Sequence, residues 1–491
     1  MGTEFRPIID LVRRHEATAD RWVTVAVVRP GGCEHLSLGL HRDEAMAAAD
    51  EEYAQLLVKT ALWLRGGCTL LTADEAVYRW LQRAYAPAGA RAFDRAFLSG
   101  IYRSPFQVER RQTLPPERET PASAAARIDP VEERLAAMSL REKVGQLFVV
   151  RVEALDPSGQ SDSTRLTWAE RQGLKKYPVG GIVVFRQNVK SPEQLKKLLA
   201  DFQAASGTGL LTAVDEEGGS VARLANASGF DLPQYQSAQA VGTTGDPANA
   251  RAMGQIIGGY LKTYGLNLDF APVADVNTNP ANTVIGNRAF SSDPAVAAQM
   301  VASAVQGFHD AGILCTLKHF PGHGDTAEDS HYGTASSTKT WAEMRETELK
   351  PFAAGIAAGA DVVMTAHITT PNATQDGLPA SLSYTMLTER LRGELGFTGV
   401  ICTDSLSMQA IRDHYSAAEA AVAALNAGAD LLLMPPDLPE AFDGVLEAVQ
   451  NGTISEERLN ESVRRILMLK QKAGLELDTR TPLEKMLDVF L

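Results

Sequence analysis

With 491 residues, 45% of them hydrophobic and 22% charged, the chain has room for a barrel-sized globular domain and a smaller companion. Its formal net charge of −13 argues against nucleic acid or an anionic membrane surface as the main partner. Four cysteines (Cys33, Cys68, Cys315, Cys402) are too few and too scattered for a disulfide framework, and no stretch is long and apolar enough to span a bilayer.

The first residues show no cationic start followed by an apolar core, so no secretory leader is visible and the cytoplasm is the expected compartment. Residues 22–28 and 34–40 flank Arg29-Pro30-Gly31-Gly32, which predicts a hairpin. Helical patterning follows over 43–64, a short strand over 68–71 and another helix over 73–84. Residues 1–113 therefore read as a small α+β domain without a catalytic constellation of its own. Pro, charged and small residues mark 114–127 as a linker.

From 128 to 475 the pattern becomes regular, with a short tail at 476–491. Apolar runs recur at 144–150, 179–185, 210–214, 268–273, 314–318, 361–366, 399–403 and 430–434. Amphipathic helical stretches separate most of them, at 192–205, 248–264, 294–311, 341–358, 387–395, 417–427 and 438–449, and a last one spans 455–472. Nearly continuous apolar strands alternating with helices imply a parallel sheet buried on both faces. Such a string fits a (β/α)8 TIM-like barrel or an open doubly wound sheet. The polar residues at the strand ends favour the barrel: Asp215, Asp275, Lys318-His319, His367 and Asp404 would converge on one mouth.

The densest chemistry lies in Lys318-His319-Phe320-Pro321-Gly322-His323-Gly324-Asp325-Thr326, followed by Asp329-Ser330-His331. A cation, three imidazoles and two carboxylates surround two glycines and a proline, too polar for core and too turn-rich for a casual linker. Asp404 directly follows an apolar strand, where a carboxylate is either a rigid nucleophile or the N-cap of the next helix. Asp215-Glu216-Glu217-Gly218-Gly219 also ends a strand, where Gly218-Gly219 alone would read as an ordinary turn.

These motifs, with Asp215 through Arg223 and Ile285-Gly286-Asn287-Arg288-Ala289-Phe290, resemble glycoside hydrolase family 3, and within it the bacterial β-N-acetylhexosaminidase branch that carries Asp-Ser-His on a loop. The resemblance spans about 129–472. It implies an exo-acting retaining β-N-acetylglucosaminidase that takes terminal GlcNAc from muropeptides during cell-wall recycling, with no cofactor and no metal. It makes Asp404 the nucleophile and His331, oriented by Asp329, the proton donor and later the base. Asp215, Arg223, Arg288, Lys318 and His319 are implied to hold the sugar, while His323 braces the loop and His367 faces the mouth without an assigned role.

Three rival readings stand beside it. A phosphorylase would use the same residues with phosphate in place of water. A metal-dependent barrel hydrolase could draw ligands from His319, His323, His331, Asp325 and Asp329, though the first apolar run contains no histidine. A catalytically silent sugar-binding or sensor protein would have no need of an intact nucleophile and Asp-His pair. The number of subunits is left open.

Overall fold

A computed structural model of the chain describes residues 129–156, 164–326 and 335–478, together with 19–29, 32–42, 69–85, 107–110 and scattered positions between 46 and 54. Contacts divide the chain into two compact units, 1–128 with 480–491, and 129–479.

In the first unit β1 (Arg21–Arg29) and β2 (Gly32–Leu40) form the expected antiparallel hairpin, with Arg29 opposite Gly32. The strands β3 (Thr69–Thr72) and β4 (Gln107–Arg110) complete a sheet of order β2-β1-β3-β4. Val25, Leu38, Leu70, Val77 and Leu81 are buried between this sheet and the helix Glu75–Tyr85, giving an α+β core. Most of the helix expected at 43–64, the linker at 114–127 and the end of the tail lie outside the described residues.

The second unit contains eight short parallel strands: β5 (Phe148–Arg151), β6 (Gly181–Val184), β7 (Leu211–Val214), β8 (Leu268–Asp269), β9 (Leu314–Phe320), β10 (Val362–Thr365), β11 (Val400–Thr403) and β12 (Leu432–Leu433). Each is hydrogen-bonded to its sequence neighbour from β5 to β11, and β12 pairs with β5. A parallel bridge between Cys402 and Leu431 joins β11 to β12, where Thr403 N–H donates to Leu431 O at 2.9 Å, so the sheet closes on itself. The fold is a (β/α)8 barrel, and the open-sheet alternative is excluded. Strands buried on both faces explain the unbroken apolar runs.

Helices 192–205, 294–311 and 417–427 have the expected limits, each opened by a side-chain cap from Ser191, Asp293 or Ser416. Other boundaries move for identifiable reasons. The first apolar run starts as a helix, Leu140–Gln146, because Ser139 and Glu142 form a capping box, and the strand begins only at Phe148. A helix at Trp168–Lys176, opened by the capping box of Thr167 and Glu170, lies between the first two strands, where none was expected. The run at 268–273 pairs as a strand only through Asp269, since Pro272 has no N–H to donate; Val273 rejoins by a single bridge to Lys318. The stretch 341–358 is two helices, Trp341–Glu346 and Leu349–Ala357, and the helix expected at 387–395 is a π-helix, Thr385–Glu394. Among the described residues, no helix is long and apolar enough to cross a membrane.

Candidate active site

The carboxyl ends of the barrel strands carry the polar groups. Asp404 N–H donates to Thr365 O at 2.9 Å, extending the β10–β11 ladder by one residue beyond Thr403. This fixes the Asp404 backbone rigidly at the mouth, and its carboxylate accepts the Ser405 N–H at 2.7 Å. The next helix, Gln409–Arg412, has Met408 as its N-cap, so the capping reading of Asp404 fails.

Behind the end of β7 the chain folds back in a short hairpin, Glu216–Gly218 with Val221–Ala222. The buried Glu216 carboxylate accepts the N–H groups of Leu224 and Ala225, both at 2.8 Å, and the Tyr260 hydroxyl at 2.8 Å. That anchorage brings Arg223 back to 3.4 Å from Asp215. Lys318 reaches across from β9 and donates to Asp215 at 2.8 Å, with Glu217 at 2.6 Å. Glu217 in turn receives Arg288 through two parallel hydrogen bonds of 2.8 and 2.7 Å. Burial alone would lower the Lys318 ammonium, but Asp215 and Glu217 reverse the sign and hold its pKa above the ordinary lysine range. For Glu217, burial would raise the carboxyl, yet Lys318 and Arg288 outweigh it and keep it far below the ordinary range. Glu217 and Lys318 therefore hold their charges in place, and the network presents hydrogen-bonding groups of both signs.

His319 is buried beside it, with Nδ1 2.7 Å from Asp275 Oδ2 and Nε2 3.4 Å from Arg288. The carboxylate partner assigns the proton to Nδ1. Asp275 also accepts the backbone N–H of His323 at 2.6 Å. Burial pushes the Asp275 carboxyl up, but the His319 ring and the His323 N–H prevail and hold it below the usual range. A hollow of about 390 Å³ opens over these groups, lined by Asp215, Glu217, Arg223, Arg288, Lys318, His319 and Asp404 among others. Six of the eight residues expected at the site thus share one pocket. The other two, Asp329 and His331, fall in 327–334, outside the described residues.

The chain on both sides of that segment is firmly held. Asn282 Nδ2 donates to His323 O at 2.8 Å and Thr326 O at 2.9 Å, and Ser337 Oγ donates to Asp325 at 3.1 Å. Gly324 is required by close approach, because a Cβ there would stand 2.0 Å from Val276 O. His323 points its Nδ1 at Thr326 Oγ1, 2.7 Å away, a bracing contact. His367 is fully buried, with Nδ1 2.7 Å from Ser381 Oγ and Nε2 2.9 Å from Ser405 O, so it supports the turn after Asp404.

Residues 139–469 match the profile described as Glycosyl hydrolase family 3 N terminal domain. The chain belongs to glycosyl hydrolase family 3. It is a glycoside hydrolase. Among family 3 relatives it is 40% identical over 296 residues to the Beta-hexosaminidase of Stenotrophomonas maltophilia (strain K279a), covering 60% of this chain and 86% of that protein. A solved family 3 β-N-acetylglucosaminidase from Paenibacillus sp. str. FPU-7 superposes with a TM-score of 0.63 at 40% identity, over 69% of this chain and 63% of that one. The β-glucoside phosphorylase BglX superposes with a TM-score of 0.62 at 27% identity, over 73% of this chain and 62% of that one. The chain thus spans less than two thirds of either solved structure.

Sequence reasoning passed over two residues that order this pocket. Glu217 stood inside the quoted Asp-Glu-Glu-Gly-Gly motif but was given no role, although it ties Arg288 to Lys318. Asp275 was noted only as a strand-end carboxylate, yet it orients His319. The motif was signal enough for Glu217. Nothing in the sequence pointed to Phe185, whose ring lies 4.6 Å from the Arg151 guanidinium and 5.3 Å from that of Arg223.

Proposed function

We propose that the chain is an exo-acting, retaining β-N-acetylglucosaminidase, cutting terminal GlcNAc from muropeptides and other peptidoglycan fragments in cytoplasmic cell-wall recycling. The observation that carries this reading is the shared pocket: Asp404 stands at the end of β11 in the same hollow as the Asp215–Lys318–Glu217–Arg288 network. The similarity to proteins named β-hexosaminidase and β-N-acetylglucosaminidase supports the N-acetyl sugar as substrate.

In the proposed reaction Asp215 accepts hydrogen bonds from two vicinal hydroxyls of the terminal ring. Lys318, Arg223 and Arg288 donate to the remaining oxygens, and His319 Nε2, its ring proton held at Nδ1 by Asp275, accepts from a hydroxyl. Asp404 attacks the anomeric carbon and forms a glycosyl ester, while His331, oriented by Asp329, gives its proton to the departing oxygen. The now neutral imidazole takes a proton from water, which opens the ester and leaves the anomeric configuration unchanged overall. A neutral imidazole repels the lactyl carboxylate of a muropeptide less than a second glutamate would.

A 5-fluoro GlcNAc donor with a good leaving group tests the nucleophile. The expected result is a stable adduct on the peptide carrying Asp404, absent in Asp404→Asn. A wild-type protein that turns over substrate without ever forming an adduct on that peptide would overturn the assignment. The likeness to BglX favours phosphorolysis as the second reading. Product analysis in phosphate buffer separates the two: free GlcNAc means hydrolysis, and GlcNAc 1-phosphate means phosphate replaces water.

A further inference from the structure

At the end of the barrel opposite Asp404, three side chains of different elements meet where β9 and β10 begin. His309 comes from the last turn of the helix Pro294–Ala311, Cys315 from the start of β9, and Asp361 immediately precedes β10. His309 Nε2 lies 2.9 Å from Asp361 Oδ2 and 3.9 Å from Cys315 Sγ. All three candidate ligand atoms lie within 4.8 Å of one another. None of them takes part in the saccharide pocket.

We propose that His309, Cys315 and Asp361 form a binding site for one zinc-class divalent cation that ties the helix 294–311 to β9 and β10. The donor set is chemically apt: a thiolate, an imidazole and a carboxylate suit Zn²⁺ and do not suit Mg²⁺ or Ca²⁺. Ligands 2.0–2.3 Å from a tetrahedral ion stand roughly 3.3–3.8 Å apart. The two separations of 2.9 and 3.9 Å straddle that range, so small side-chain adjustments suffice.

The surroundings fit as well. The Cys315 backbone N–H donates to Asp361 Oδ2 at 2.9 Å, and Lys472 pairs with the other carboxylate oxygen, so Asp361 is aimed from both sides. Groups of this kind orient metal ligands from outside. Asp361 and Cys315 are buried, but the His309 side chain is 26% exposed, which leaves a route for the ion and a water in the fourth position. Lys472 is 53% exposed and can swing into solvent as the positive charge arrives. Binding converts the Cys315 thiol to thiolate, and its proton passes to solvent, one per ion bound. The alternative is that His309 merely donates a hydrogen bond to Asp361 and no ion is taken up.

Co²⁺ titration of the purified full-length protein decides between them, because only a thiolate ligand gives intense sulfur-to-cobalt absorption. The expected result is one Co²⁺ per chain with that absorption and with tetrahedral visible bands, displaced by one equivalent of Zn²⁺. Cys315→Ser must lose the absorption, and Cys402→Ser must keep it. His309→Gln, checked for native folding by circular dichroism, must bind more than about 100-fold more weakly, since losing even an outer-shell partner costs about 10- to 100-fold. A wild-type protein without the absorption, or an absorption that survives Cys315→Ser, would overturn the proposal. Hydrolysis need not change in any of these variants, so the outcome is independent of the glycosidase reading.

Discussion

Arg288 and Glu217 face each other fork to fork, Nε 2.8 Å from Oε2 and Nη2 2.7 Å from Oε1, across 71 residues of chain. Lys318 shares the same carboxylate at 2.6 Å, so one buried anion orders two cations. Removing that anion leaves two largely buried cations, with Asp215 beside Lys318 and Asp275 near Arg288 in partial compensation. Glu217→Ala is expected to lose about 3–5 kcal/mol of stability, read from urea unfolding. Arg288→Lys keeps the charge but forfeits the fork. It should unfold near the wild-type midpoint, while kcat/KM on aryl GlcNAc falls about 10- to 100-fold, or about 1.4–2.7 kcal/mol of transition-state binding. Equal stability of Glu217→Ala and wild type would refute the account of the pair.

The acid role proposed for His331 makes a prediction that depends on the leaving group. Removing a general acid costs about 10²–10⁴-fold when the departing oxygen needs a proton, and far less when it does not. His331→Ala should therefore lose that factor on a disaccharide and retain most activity on a dinitrophenyl glycoside. Equal losses on both substrates would assign His331 to binding or to structure.

How much of this was legible in the chain follows from how local each feature is. The barrel was legible because strands buried on both faces write themselves as apolar runs, and three helices were delimited to the residue by their caps. The first strand was misread because Val144 belongs to a buried helix face, and an apolar residue looks the same in either element. The pocket was legible through strand-end motifs, since Lys318, His319 and Asp404 each adjoin or end an apolar run. Its wiring was not. That Glu217 serves Arg288, that Asp275 serves His319, and that Phe185 meets two guanidiniums depend on segments well apart in sequence.

Asp275 offers a pH-dependent test. Its folded pKa is held below the unfolded value, so its stabilising contribution is present above about pH 4 and is lost as pH falls through the folded pKa. Asp275→Asn should be destabilised at neutral pH and should lose part of the acid-side decline seen in the wild type. It also leaves the His319 tautomer unfixed. The expected loss in kcat/KM is about 10- to 100-fold, the usual effect of an orienting partner. An acid-denaturation profile that coincides with the wild type, or unchanged kcat/KM, would remove Asp275 from the positioning role.

Asp269 behaves in the opposite sense. It is completely buried behind the hairpin, with Oδ1 accepting the Glu216 N–H at 3.0 Å and Oδ2 meeting no hydrogen-bond partner among the described residues. Burial, followed by the nearby Glu216, pushes its carboxyl well above the ordinary range, and burial raises Glu216 as well. A carboxyl whose folded pKa exceeds the unfolded one contributes fully below about pH 4 and loses that contribution as pH rises through the folded value. Asp269→Asn has the same shape and no proton to lose. Its stability relative to wild type should therefore improve in urea titrations as pH is raised above about 4, and level off once Asp269 ionises in the fold. Parallel stability curves for the two proteins across that range would mean that Asp269 is as readily ionised in the fold as in the unfolded chain.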